Sequence, residues 1–238
     1  PNKIESCTGL SNSLNYAEVC RVMGMSYSGG KCIPQVNPGT QISYTTLRTS
    51  NSNGHWGNWA GSGSYCGGNA YVIGIQTRVE SSQNSGIRTK GDDDTSMNAV
   101  RLICGNNHPT LGVINVHTIK SLEGPWGDWG QIDSIEYCPW GSYVKGFQTR
   151  VERSLGGGRK DDDTAMNTVR LICSDNAQST ITSYQGQWGD WSTRASCPVG
   201  KYICGFKTRV ENPLGDCWIN KGCDDTALNG VEMYCCSK

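Results

Sequence analysis

The residues of this chain that could do chemistry come in threes. Asp93-Asp94-Thr95-Ser96-Met97-Asn98 is followed by Asp162-Asp163-Thr164-Ala165-Met166-Asn167 and by Asp224-Asp225-Thr226-Ala227-Leu228-Asn229. Paired carboxylates can act as acid and base, or gather oxygen ligands around calcium. One reaction needs one acid and one base, not three copies of each. The Asp-x-Asp-x-Asp-Gly spacing of a calcium loop is absent, and adjacent side chains on extended backbone leave on opposite faces. Asp93, Asp94, Asp162, Asp163, Asp224 and Asp225 therefore read as turn residues whose side chains bond nearby main-chain N–H groups. A second carboxylate of each pair can face the Arg of the preceding Thr-Arg-Val-Glu segment, namely Arg78, Arg150 and Arg209. No metal and no cofactor is expected.

Tryptophan repeats in the same way. Trp56 and Trp59, Trp126 and Trp129, and Trp188 and Trp191 stand three apart beside Gly. Indole fills cores and edges, and its flat face also suits the C–H face of a sugar ring. Residues that break the repeat are better candidates for a single specific site. Trp140 and Trp218 have no counterparts, and Glu123, Asp133 and Glu136 crowd the second copy around Trp126 and Trp129. A glycosidase needs two carboxyl groups about 5–10 Å apart. Glu123 and Glu136 are the pair that a hairpin could set so. The candidate carbohydrate-binding set is Trp126, Trp129, Trp140, Trp218, Asp162 and Asp163.

These residues need many short strands to position them. Only two residues are Phe, whereas 31 are Gly, eight Trp and ten Tyr, as expected of strands joined by Gly-rich turns. Ile73, Ile75, Thr77 and Val79 alternate with Gly74, Gln76, Arg78 and Glu80, which predicts a half-buried strand. Val100-Arg101-Leu102-Ile103-Cys104 predicts another, with Val100, Leu102 and Cys104 on one face. Residues 41–46 and 112–117 open the first and second copies in the same style. A period of roughly 65 residues is too long for a solenoid unit and suits three sheets closing on a common core. The units run from about 41 to 110, 111 to 179 and 180 to 238.

Residues 1–40 stand outside the repeat. They are expected to form a small stapled extension with one helix over Ser13–Met23, capped by Ser13 and ended by Gly24, and with turns at Ser28-Gly29-Gly30 and Asn37-Pro38-Gly39. Zero formal net charge speaks against a nucleic-acid partner, and no apolar run is long enough to span a bilayer. Thirteen Cys without a Cys-x-x-Cys pair form a disulfide framework and point to an oxidising, extracellular compartment. The chain is expected to be a mature secreted protein.

The order Gly54-His55-Trp56-Gly57-Asn58-Trp59, then Thr-Arg-Val-Glu, then Asp-Asp-Thr-Ala-Leu-Asn and a strand ending in Tyr234-Cys235-Cys236, resembles the vitelline membrane outer layer protein 1 family from about residue 41 to the end. That resemblance implies an all-β β-prism, three Greek-key sheets about a pseudo-threefold axis, with secretion and a place in extracellular coats. The first 40 residues, Cys217 and Cys223 depart from the pattern. The repeat suggests bridges Cys66 to Cys104 and Cys138 to Cys173, and Cys197 to Cys235 or Cys236, with Cys204 taking the other. Cys217 and Cys223 flank a short loop and are expected to pair. One of Cys7, Cys20 and Cys32 is then left over, for a free thiol, a displaced partner or a disulfide-linked homodimer.

Three functions compete. A secreted coat protein that binds a glycan, such as a chito-oligosaccharide, fits the disulfides, neutral charge and Trp content. A purely structural, protease-resistant protein of a coat or secretion fits equally, and the expectation blends the two, with a glycan or matrix component as partner. The alternative is a glycoside hydrolase or transglycosylase acting on N-acetylglucosamine oligomers, which the resemblance allows and for which no diagnostic acid/base pair is found.

Overall fold

The computed structural model describes residues 25–28, 31–34, 43–50, 56–80, 96–108, 112–129, 134–152, 166–183, 185–186, 188–212 and 227–238, with backbone alone for 25–28, 31–34, 108 and 115. The chain divides into two compact units, Pro1–Thr40 and Gln41–Lys238. In the first, strands β1 (Met25–Ser28) and β2 (Lys31–Pro34) pair antiparallel from Met25↔Pro34 to Ser28↔Lys31. Gly29 and Gly30 of the expected turn and the helix expected over Ser13–Met23 lie outside the described residues.

The second unit is built from three antiparallel sheets. The first contains β6 (Tyr71–Val79), β7 (Met97–His108), β8 (Gly112–Lys120), β9 (Asp128–Trp129) and β10 (Glu136–Tyr137). The second contains β11 (Val144–Val151), β12 (Met166–Cys173), β13 (Thr180–Ile181), β14 (Asp190–Trp191) and β15 (Ala195–Ser196). The third takes β16 (Lys201–Val210) and β17 (Leu228–Ser237) from the chain's end, and β3 (Thr45–Leu47), β4 (Asn58–Trp59) and β5 (Ser64–Tyr65) from its first repeat. In each, three strands lie side by side and two short strands return to the free edge of the first. This is the Greek-key order. The architecture is a β-prism.

The sheets are out of phase with the sequence repeat. β8 opens the second repeat yet pairs with β7 of the first, and β3 opens the first repeat yet pairs with β17 of the third. Each sheet thus takes its two central strands from one repeat and its outer strands from the next, and the third sheet closes the ring with residues from the first repeat. Local pattern identifies a strand but not its neighbour, which closure of the whole array decides.

One apolar cluster fills the inside. It includes Val72, Ile75, Val100, Leu102, Cys104, Phe147, Val169, Leu171, Phe206, Val231 and Met233. Ile75, Phe147 and Phe206 hold equivalent places, so both Phe residues are buried on the inner strands. Val100, Leu102 and Cys104 share the inward face as the alternation predicts. Ile73 does not join Ile75: it packs with Ile103 and Tyr143 in a second cluster. The cause is a bulge between Val72 and Gly74 that shifts the phase of β6. The same shift recurs between Val144 and Gly146 and between Ile203 and Gly205. Only Gly fits after it: a Cβ on Gly74 would lie 2.8 Å from the Glu136 carbonyl oxygen, and one on Gly205 2.6 Å from that of Ser64.

Three disulfides tie the sheets to one another. Cys66, just after β5 of the third sheet, joins Cys104 in β7 of the first; Cys138, just after β10 of the first, joins Cys173 in β12 of the second; Cys197, just after β15 of the second, joins Cys235 in β17 of the third. The fourth, Cys204–Cys236, lies within the third sheet, with Cys204 in the bulge of β16. Threonines at one register add a second set of ties. Thr77 N–H donates to Ser183 Oγ, Thr208 Oγ1 donates to the Leu122 carbonyl, and Thr149 and Thr49 share a hydrogen bond at 3.2 Å between their hydroxyls. No helix among the described residues is long and apolar enough to cross a membrane.

Candidate functional site

The three Trp-Gly-x-Trp turns form equivalent platforms, each held by the sheet of the repeat before it. Gly57, Gly127 and Gly189 have φ of 80°, 75° and 84°, which disfavours any side chain. A Cβ there would also collide with the backbone of Val210, Val79 and Val151. The second Trp of each turn enters the sheet opposite the repeated Arg: Trp129↔Arg78, Trp191↔Arg150 and Trp59↔Arg209. That Arg donates from Nε to the turn's Gly carbonyl, at 2.7 Å for Arg78–Gly127, 2.8 Å for Arg150–Gly189 and 3.0 Å for Arg209–Gly57. Arg78 also donates to the Gly124 and Pro125 carbonyls. The repeated Arg is a clamp on the next turn.

The described part of the repeated acidic line serves the same end. Asn98, Asn167 and Asn229 are fully buried. Asn98 Oδ1 accepts the Trp126 main-chain N–H at 3.1 Å and Asn229 Oδ1 that of Trp56 at 3.4 Å. Gly124 N–H and Gly186 N–H donate to the main-chain carbonyls of Asn98 and Asn167. Ser96, at a φ of 53°, donates from Oγ to Asn167 Oδ1 at 2.8 Å. Asp93, Asp94, Asp162, Asp163, Asp224, Asp225 and Trp218 lie outside the described residues, as do Cys7, Cys20, Cys217 and Cys223.

Held in this way, the first Trp of each turn faces solvent: Trp56 is 54%, Trp126 47% and Trp188 54% exposed. The second Trp is half-buried under a cation. The Arg101 guanidinium carbon sits 3.6 Å from the Trp129 ring centre, that of Arg170 3.8 Å from Trp191, and Lys207 Nζ 5.2 Å from Trp59. Glu123 closes the first of these groups, with Oε1 4.0 Å from Arg101 Nε and 3.8 Å from Lys120 Nζ. In the third sheet the charges are exchanged, and buried Glu232 takes Arg48 at 2.6 Å and Lys207 at 3.2 Å.

The structure therefore gathers Trp126, Trp129 and Glu123 with Arg101 at one platform. Glu136 is exposed on β10, paired with Ile75, and no described contact joins it to Glu123. Trp140 is 73% exposed and lies over Gly112, where a Cβ would meet the indole at 2.7 Å. Sequence reasoning passed over two features. One is the Arg seated on each of two indoles. The other is a tyrosine triangle: Tyr71, Tyr143 and Tyr202, each at the start of an inner strand, converge with ring centres 5.2–5.7 Å apart. Its signal was the Tyr five residues after each of Cys66, Cys138 and Cys197. Burial, then the Tyr143 and Tyr202 hydroxyls, push the Tyr71 pKa up.

Comparison with known proteins matches residues 45–238 to the family described as vitelline membrane outer layer protein I. The human vitelline membrane outer layer protein 1 homolog is 36% identical over 194 residues, covering 81% of this chain and 84% of that protein. The mouse homolog is 32% identical over 206 residues, covering 85% of this chain and 89% of that one. Among solved structures, Calystegia sepium agglutinin matches 84% of this chain and 100% of its own, at 13% identity and a TM-score of 0.47.

Proposed function

The chain belongs to the vitelline membrane outer layer protein I family, and on that premise we propose that it is a secreted protein of an extracellular coat or secretion that binds carbohydrate on its Trp platforms and adds mechanical and proteolytic resistance. One observation carries the reading: three indoles, half exposed, stand on turns held by buried Asn and half-buried Arg side chains. A fixed indole loses little freedom when a pyranose stacks on it, so more of the contact energy becomes affinity. The inter-sheet disulfides support the protective role, since each removes freedom from the unfolded chain. A chito-oligosaccharide or related glycan is the ligand class, and a matrix glycoconjugate the partner. A dimer linked through Cys7, Cys20 or Cys32 would make binding bivalent, and a non-reducing gel reads it directly.

The test is calorimetric titration with chito-oligosaccharides and a broader glycan array. Wild type should bind, and Trp126→Ala should weaken binding about fivefold, equivalent to about 1 kcal/mol. No binding to any glycan at millimolar concentration removes the reading. Mass spectrometry of the same mixtures addresses the enzymatic alternative. Turnover lost in Glu123→Gln or Glu136→Gln would assign those residues as the acid and base.

A further inference from the structure

The three platforms differ in how the charge on the second Trp is balanced. Arg101, Arg170 and Glu232 are equivalent residues of the inner strands, facing Gln76, Gln148 and Lys207. In the first sheet Arg101 has Glu123 at hand, and in the third Lys207 and Arg48 share Glu232. In the second sheet Gln185 stands where Glu123 stands in the first: each precedes the Gly that donates to the buried Asn. Gln185 Nε2 is turned away and donates to Thr182 Oγ1 at 3.0 Å. No carboxylate pairs with Arg170 among the described residues.

More cations stand around Arg170. Arg150 faces Trp191 across the strand pair and lies diagonally from Arg170, since Gln148 pairs with Arg170. Arg194 follows Trp191 by three residues and is exposed. Asp190 neighbours Trp191 in a two-residue strand, so its side chain leaves on the other face. Burial first, then Arg194 and Arg150, lower the Arg170 pKa, and no described acid offsets them.

We propose that this face of the second sheet, Arg170 seated on Trp191 with Arg194 and Arg150 beside it, binds the anionic substituent of an acidic glycan, a sulfate or a carboxylate. A guanidinium stacked flat on indole keeps its N–H edge free, and that edge matches a planar or tripodal oxyanion with two parallel hydrogen bonds. Trp188, exposed on the same turn, offers the sugar ring an apolar face. The inference rests on the carbohydrate-binding reading and narrows it to one platform and one ligand class.

The experiment titrates the full chain with a sulfated oligosaccharide, a uronate oligosaccharide and a neutral chito-oligosaccharide, at low and high salt. At least one acidic ligand should bind tenfold or more tighter than the neutral one, and lose that advantage in high salt. The two acidic ligands separate sulfate from carboxylate. Arg170→Gln should remove the advantage. Arg194→Gln, at an exposed position, should reduce it about threefold. Lys201→Gln, the same charge change in the third sheet, should leave it intact. Acidic binding unaffected by both Arg changes overturns the proposal, as does full competition by poly-glutamate, which carries charge without a sugar ring. Neutral glycans bound as tightly as acidic ones overturn it too, while leaving the broader reading in place. No binding to any glycan removes both.

Discussion

The buried carboxamide of Asn98 accepts the main-chain N–H of Trp126 at 3.1 Å, so a residue of one repeat fixes the turn of the next. Replacing it takes the partner from a part-buried N–H group and leaves a cavity where the carboxamide was. Asn98→Ala should cost about 2 kcal/mol in urea unfolding. It should also loosen Trp126 enough to raise acrylamide quenching of tryptophan fluorescence. An unchanged midpoint would show that water takes over the role of the carboxamide.

Gly127 is both left-handed, at a φ of 75°, and pressed against the backbone of Val79. Gly127→Ala should therefore destabilise by about 3 kcal/mol or more, beyond the usual effect of an exposed glycine change. Gly141 also has a positive φ, 80°, but nothing within reach of an added Cβ. Gly141→Ala should cost about 1 kcal/mol. Equal losses would mean that strain, not the close approach, dominates at both sites.

The Cys138–Cys173 bridge spans 35 residues and joins two sheets. The double change to Ala should lower unfolding free energy by about 3 kcal/mol. It should also speed cleavage by a broad-specificity protease. Removing Cys204–Cys236, which stays within one sheet, should matter less for proteolysis, because β16 and β17 remain paired along their length.

Alkaline pH should unfold the protein through its tyrosines. Burial, then Tyr44 and Glu232, push Tyr234 up from 10.0 to about 12, and burial also raises Tyr65 and Tyr71. The native state keeps these protons longer than the unfolded chain does. Stability is then fully present below about pH 10 and falls as pH rises toward 12. Absorbance at the phenolate band should show a late-titrating subset of the ten Tyr, ionising together with loss of near-ultraviolet dichroism. A single early transition for all ten would refute it.

Much of this architecture is legible in the residues. The triplication shows in the repeated motifs, and the inward face of Val100, Leu102 and Cys104 follows from their alternation. The sequence left Cys197 open between Cys235 and Cys236, and their opposite faces decide it: Cys235 lies in the inner cluster against Cys197, and Cys236 in the second cluster with Cys204. What is hidden depends on contacts far apart in the chain. The alternation through Ile73 and Ile75 looks continuous because the bulge leaves only one local mark, the Gly that follows it at 74, 146 and 205, in a chain where Gly is common. Arg78, Arg150 and Arg209 are visible as repeated residues, but their role as clamps requires knowing that the following turn belongs to their sheet. The two indoles of each turn look alike in sequence. Only their strand assignment separates the exposed one from the one under a cation.

The offset between repeat and sheet has a consequence for how such a chain arose and how it is made. A single repeat cannot finish a sheet alone, because its opening strands fit the edge of another copy. Three free copies could satisfy one another by exchanging those strands, as a domain-swapped trimer does. Fusing them end to end turns that exchange into an intramolecular one and leaves a single junction, of β16 and β17 with β3, β4 and β5, that closes only once translation has reached the last strand. A nascent chain stopped after two repeats therefore holds two open edges that invite aggregation. The ring form makes completion of the polypeptide its own quality check.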